Sequence, residues 1–107
     1  MLTLNANFIM ISMSKFDKTA LKYQYTWPVK KTILSPTFLD DDLIDVTNGY
    51  DVLNFINRFF VVHNLISDTS FTRLEYLIRH HLPININSRK DITAWIKKNW
   101  DREFYGN

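Results

Sequence analysis

An α+β fold is what this sequence predicts: a small N-terminal antiparallel β-sheet of two or three strands packed with a C-terminal three-helix unit. Three observations predict it. Apolar and polar residues alternate over the first third of the chain. In the second half, a capping residue stands three positions ahead of a carboxylate at Asn48/Asp51, Thr72/Glu75 and Ser88/Asp91. Each of those pairs opens an apolar run at helical spacing.

The strands come first. Leu2, Leu4, Ala6, Phe8 and Met10 alternate with Thr3, Asn5 and Asn7, the period of a half-buried strand. Ile9 and Ile11 break the far end of the pattern, which fits cover on both faces there. Residues 13–19 read as a connecting turn. Tyr23, Tyr25, Trp27 and Val29 then alternate with Lys22, Gln24 and Thr26 until Pro28, which cannot donate to a ladder and belongs at an edge, bulge or turn. Residues 30–34 can return as a short third strand. Ser35-Pro36 marks a boundary, and residues 38–46 read either as a short acidic helix or as an irregular loop.

The helices follow. In the first, Val52, Phe55, Ile56, Phe59, Phe60, Val62 and His63 cover most of the circumference, as expected of a central helix. The second places Phe71, Leu74, Leu77, Ile78, His81 and Leu82 at three-four spacing with Arg73, Glu75 and Arg79 outside, and must stop at or before Leu82, because Pro83 restricts its predecessor. In the third, Ile92, Trp95, Ile96 and Trp100 form an apolar stripe opposite Lys97, Lys98 and Asp101. Phe104 and Tyr105 can extend it, and Gly106 falls where helices commonly end. The chain therefore reads as a single domain over residues 1–107, strand-rich to 34, an acidic connector over 35–49 and helical over 50–105.

One stretch carries a resemblance. Leu82-Pro-Ile-Asn-Ile-Asn-Ser88-Arg-Lys-Asp91-Ile92-Thr-Ala-Trp95-Ile96-Lys-Lys-Asn99 resembles the end of the YozE-type SAM-like domain of small bacterial proteins. The pattern is a Pro after an apolar residue, a Ser/Thr cap, an acid with Ile, then an aromatic-aliphatic pair. With the helix from Asp51 onward the likeness spans about residues 50–100. It implies a compact helical bundle of unassigned function, with no catalytic residues to carry over.

Composition excludes much. A chain of 107 residues buries roughly 60–70% of its unfolded surface, enough for one real core. Its 46% apolar and 15% aromatic content excludes disorder, and suggests more apolar area than the interior holds. Gly49 and Gly106 are the only glycines, so no Gly-rich phosphate loop exists. With no Cys there is no disulfide, thiolate nucleophile or zinc ribbon, and a reducing cytoplasm suits the chain. The longest apolar run, residues 59–62, falls far short of the ~20 residues of a membrane span. The opening residues make a poor signal peptide, and Met10 and Met13 are alternative starts to Met1. A short, glycine-poor chain of this kind fits accessory proteins of bacteria or mobile elements.

Residue chemistry points away from catalysis. His80 and His81 are neighbours on a helix, about 100° apart, and cannot comfortably share a metal; a site would need His63 and a carboxylate brought in by the fold. The run from His80 to Asn85 lacks the further histidines and glycine turn of a His/Asn nuclease. Asp40, Asp41, Asp42 and Asp45 lack the alternating spacing, glycine and distal Glu of a calcium loop. Glu75 and Glu103 read as a cap partner and a solvated end. No Ser stands in a nucleophile elbow and no carboxylate pair has glycosidase spacing. The expectation is a non-enzyme without cofactor or metal.

Charge gives two partner hypotheses. Residues 1–34 carry five Lys against Asp17 alone, residues 35–51 carry only acids, and a basic excess returns after 52. The first reading is a small cytoplasmic protein-protein interaction module, self-associating as a homodimer, with Asp40, Asp41, Asp42 and Asp45 as the partner contact. The alternative is nucleic-acid binding. It would use Arg89, Lys90, Lys97 and Lys98 on the last helix, or Lys30 and Lys31 beside the aromatic strand, where Tyr23, Tyr25 and Trp27 can stack on bases. Read as a helix-turn-helix, the last two helices have an overlong connection, residues 83–87, without Gly.

Overall fold

The structure is a computed structural model, which describes residues 16–29 and 38–104. Its elements are a short 3-10 helix at Lys18–Ala20, α1 at Gly49–His63, α2 at Asp68–Tyr76 with a π-helical continuation over Leu77–His81, and α3 at Arg89–Asn99.

Helix α1 begins where its cap signal lies. The side chain of Asn48 accepts from the amides of Tyr50 (2.9 Å) and Asp51 (3.3 Å), satisfying two orphan donors of the first turn. Asp51 does not reach back to the cap; its carboxylate accepts instead from the amide of Asp45 and ties the preceding loop to the helix. The helix ends on Asn64, whose φ of 56° is left-handed, with the amides of Asn64 and Leu65 returning to the carbonyls of the last turn. Val52, Phe55, Ile56, Phe59 and Phe60 are buried, so α1 is central; Val62, at 51% exposed, is not covered.

Helix α2 starts one turn earlier than the Thr72/Glu75 signal predicts. Ser67 is the cap, accepting from the amide of Ser70 at 3.1 Å, and Thr72 lies exposed inside the helix. After Tyr76 the winding loosens, Leu82 donating to the carbonyl of Leu77 five residues back, and Leu82 turns extended ahead of Pro83. Helix α3 starts as read, with Ser88 Oγ accepting from the amide of Asp91 at 3.2 Å. It ends at Asn99, so Phe104 does not extend it; Phe104 folds back and stacks on His81 at 3.7 Å. Arg73 of α2 closes that end by donating to the carbonyls of Trp100 and Arg102. Phe71, Leu74, Leu77 and Ile78 of α2 meet Ile92 and Ile96 of α3 in one core with α1.

The expected N-terminal sheet is overturned: the fold is helical, and no β-strand lies among the described residues. The strands expected over 2–11 and 30–34 lie outside the described residues, as do Ser35, Pro36, Tyr105 and Gly106. The segment 21–29 is described and forms a strap across the helices, meeting the chain at one isolated bridge between Thr26 and Asn48. Its alternation holds as far as Trp27, with Val29 87% exposed, and has another cause. Tyr23, Tyr25 and Trp27 are half-buried on the helices while Lys22, Gln24 and Thr26 face solvent, so a helical surface supplies the periodicity a sheet would have supplied. Trp27 lies so close to α1 that a Cβ on Gly49 would fall 2.3 Å from its ring. Residues 38–46 are an irregular loop, joined to the start of α3 by an isolated bridge between Leu43 and Ser88.

Candidate functional site

Two buried polar side chains hold the strap and the residue Phe16 ahead of it, and they define what is scaffold. Glu75 is fully buried, and its oxygens accept from the amides of Lys22 (3.0 and 3.1 Å) and Tyr23 (3.2 Å) and from the hydroxyl of Tyr25 (2.7 Å). Burial and the bond to Glu75 push the Tyr25 phenol far above its ordinary pKa, so it stays a donor. Asn57 does the same for Phe16: its amide donates to the carbonyl and accepts from the N–H, both at 3.0 Å. Glu75 is thus inside the core rather than outside its helix, and an acceptor for the strap's backbone rather than a cap partner. Tyr23 packs on His80, Tyr25 lies under the guanidinium of Arg79, and Trp27 packs on Tyr50.

The open site is on the other side of α1. A cleft of about 250 Å³ lies between α1 and α3, closed on one flank by residue 38 of the acidic loop. Phe38, Phe55, Phe59 and Val62 give it an apolar lining, and Arg58, Arg89 and Lys90 surround that lining with positive charge. Asp40 and His63 complete the rim. Two guanidiniums approach the Phe38 ring, Arg58 at 4.8 Å and Arg89 at 5.2 Å from its centroid.

The two arginines are not equivalent. Arg89 is mostly buried, with 12% of its side chain exposed, and forms an ion pair with Asp42 at 3.7 Å. Burial lowers its pKa and the Asp42 charge opposes that, leaving the guanidinium charged at neutral pH. Arg58 is partly buried and Lys90 exposed. Lys90, Thr93 and Lys97 share a face of α3 by their spacing. Lys97 is close enough for its charge to reinforce what burial does to His63, holding that imidazole below its ordinary pKa.

The acidic residues singled out in the sequence have structural duties. Asp42 pairs with Arg89 and accepts from the amide of Leu39 at 2.9 Å. Asp45 accepts from the amide and hydroxyl of Thr47, which lower its pKa. Asp40 stands on the cleft rim and its carbonyl accepts from the amide of Lys90, while Asp41 is exposed. Of the basic residues, Arg89 and Lys90 come together at the cleft with Lys97 about two turns beyond Lys90; Lys98 is exposed and turned about 100° from Lys97 along α3. Lys30 and Lys31 lie outside the described residues.

Arg58 was not legible as a site residue, though one signal was present: it is the only Lys or Arg in α1, set among Phe55, Phe59 and Val62. A second hollow, lined by Tyr23, Thr72, Arg73 and Tyr76, has a single guanidinium, engaged with the end of α3. His81 bonds to the hydroxyl of Tyr76 at 2.9 Å, and among the described residues no three His, Asp or Glu side chains converge as a metal site would require. No described helix is long and apolar enough to cross a membrane. No family model, no curated protein and no solved structure matches the chain.

Proposed function

We propose that the chain is a non-enzymatic protein-binding module that engages its partner at the α1–α3 cleft. The observation that supports this reading is the cleft's make-up: exposed Val62 and partly buried Phe38 stand over the buried rings of Phe55 and Phe59, ringed by cations on two helices. Such a surface offers apolar area to bury, which drives association, and charge to orient what is buried. The partner is another protein or a second copy of this chain, in the reducing compartment that a Cys-free sequence suits. The YozE-type likeness carries no binding residues to this chain, so the reading rests on the cleft.

Nucleic acid is the second reading, favoured by Lys90 and Lys97 on one face of α3 beside Arg58. The three aromatics of the strap no longer support it, because each packs on a helical side chain.

A random-peptide display selection against the wild type and an Arg58→Glu/Lys90→Glu variant separates the two, run beside a salt series with random oligonucleotides and light scattering of the free protein. The expected result is peptide enrichment, or a salt-resistant dimer, that the variant loses. Oligonucleotide binding that falls roughly a thousandfold or more between 50 and 200 mM salt, with no peptide enriched, overturns the reading.

A further inference from the structure

Resting on the protein-binding reading, we propose that the cleft takes an acidic, aromatic peptide segment: one large apolar side chain enters against Phe38, and a carboxylate next to it in sequence pairs with Arg58 and Lys90. The volume sets the scale. About 250 Å³ is below the ~300–1,000 Å³ of pockets that enclose whole small-molecule ligands. It suits one or two side chains of an extended segment.

Charge sets the chemistry. Arg89 is paired with Asp42 at 3.7 Å, so it already has its carboxylate. Among the described lining residues the acid beside Arg58 and Lys90 is Asp40, while Asp42 and Asp51 act on Arg89. A carboxylate arriving between Arg58 and Lys90 makes charge-assisted hydrogen bonds where an apolar wall excludes water on one side.

The chain's own loop shows the same recognition in miniature. The Arg58 and Arg89 guanidiniums both approach the Phe38 ring, and Asp42, four residues on, pairs with Arg89. An aromatic ring with a nearby carboxylate is therefore what this surface already holds from within. A peptide with the same two elements finds exposed Val62 beside partly buried Phe38 for its ring, and Arg58 and Lys90 for its acid. A nucleic-acid strand fits less well, since these cations gather round one hollow while Lys98 turns away from it.

The test is fluorescence anisotropy on the full chain with three labelled, end-capped peptides. These are Glu-Asp-Trp-Asp-Leu, its amide counterpart Gln-Asn-Trp-Asn-Leu, and Glu-Asp-Ala-Asp-Leu. The first should bind, and either loss, of the acids or of the ring, should weaken binding about tenfold or more. Arg58→Gln and Lys90→Gln should each weaken the first peptide comparably, while Lys98→Gln leaves it unchanged; circular dichroism confirms that each variant folds. Equal binding of the amide peptide, equal sensitivity to Lys98→Gln, or no binding of the first peptide to folded wild type overturns the proposal. If the display selection nevertheless enriches neutral apolar peptides that the Arg58→Glu/Lys90→Glu variant loses, the protein-binding reading survives and only the acidic-aromatic specificity falls.

Discussion

The hydroxyl of Tyr25 donates to a carboxylate oxygen of Glu75 at 2.7 Å, joining the middle of the strap to a fully buried acid on α2. Both partners depend on Tyr25 remaining a phenol. Its folded pKa is raised above the ordinary 10.0, by burial first and then by the bond to Glu75. A raised pKa contributes stability that is fully present below the unfolded value and is lost as pH climbs above it. Urea midpoints should therefore fall above about pH 10, and Tyr25→Phe should flatten that fall relative to wild type. An identical alkaline decline in both proteins would remove Tyr25 from the account.

Glu75→Gln keeps the shape and exchanges one acceptor oxygen for an NH₂ donor facing donors. The amides of Lys22 and Tyr23 and the Tyr25 hydroxyl then compete for one oxygen. Leaving a buried donor unsatisfied costs about 1–3 kcal/mol, and the substitution should lower stability by that order. Amide exchange should speed at Lys22 and Tyr23 before it speeds in α1. Unchanged exchange in the strap would contradict the anchor.

The start of α2 separates two capping residues. Ser67→Ala should cost about 0.5–2 kcal/mol, as should Ser88→Ala at the start of α3, because each removes the acceptor of a first-turn amide. Thr72→Ala, an exposed site inside the helix, should change little. Denaturant titration of the three variants reads this directly. A Thr72 cost larger than that of Ser67 would restore the later start.

Acid should act through histidines. His63 and His81 both lie below the ordinary 6.5, each by burial first, with Lys97 adding to the effect at His63 and His80, Arg73 and Arg102 at His81. Lowered values mean that the unfolded chain takes protons the folded one resists. Stability is full above pH 6.5 and declines as pH falls through the folded values. Asp17 and Asp45, lowered below 3.8 by Thr19 and Thr47, act only further down. Thermal melts at pH 7 and 5 should show a loss that a His63→Gln/His81→Gln variant largely lacks, and an equal loss in that variant would rule the histidines out.

Much of the helical half was legible because its causes are local. Asn48 and Ser88 are caps in sequence and in space, and Phe55, Leu74 and Ile92 sit at core spacing and are buried. The strap was not, because period-two alternation reports a half-buried extended chain and cannot say whether a strand or a side-chain carboxylate takes its amides. The signal available was Glu75 itself, a charged residue at the core spacing of Phe71 and Ile78. Asn57, three residues from Phe60, is the same case in α1. The cleft depends on a distant loop bringing Phe38 to Arg58 and Asp42 to Arg89, and no local pattern encodes that meeting.

The most direct test of the binding account is a chemical-shift titration of isotope-labelled protein with the Glu-Asp-Trp-Asp-Leu peptide and, separately, with a random single-stranded oligonucleotide. The account predicts that the peptide perturbs Arg58, Val62, Lys90 and Thr93 around the cleft while Lys98 and the strap at Lys22 and Tyr23 stay still. Peptide shifts spread evenly over the surface, or oligonucleotide shifts along Lys90, Lys97 and Lys98 with none from the peptide, would contradict it.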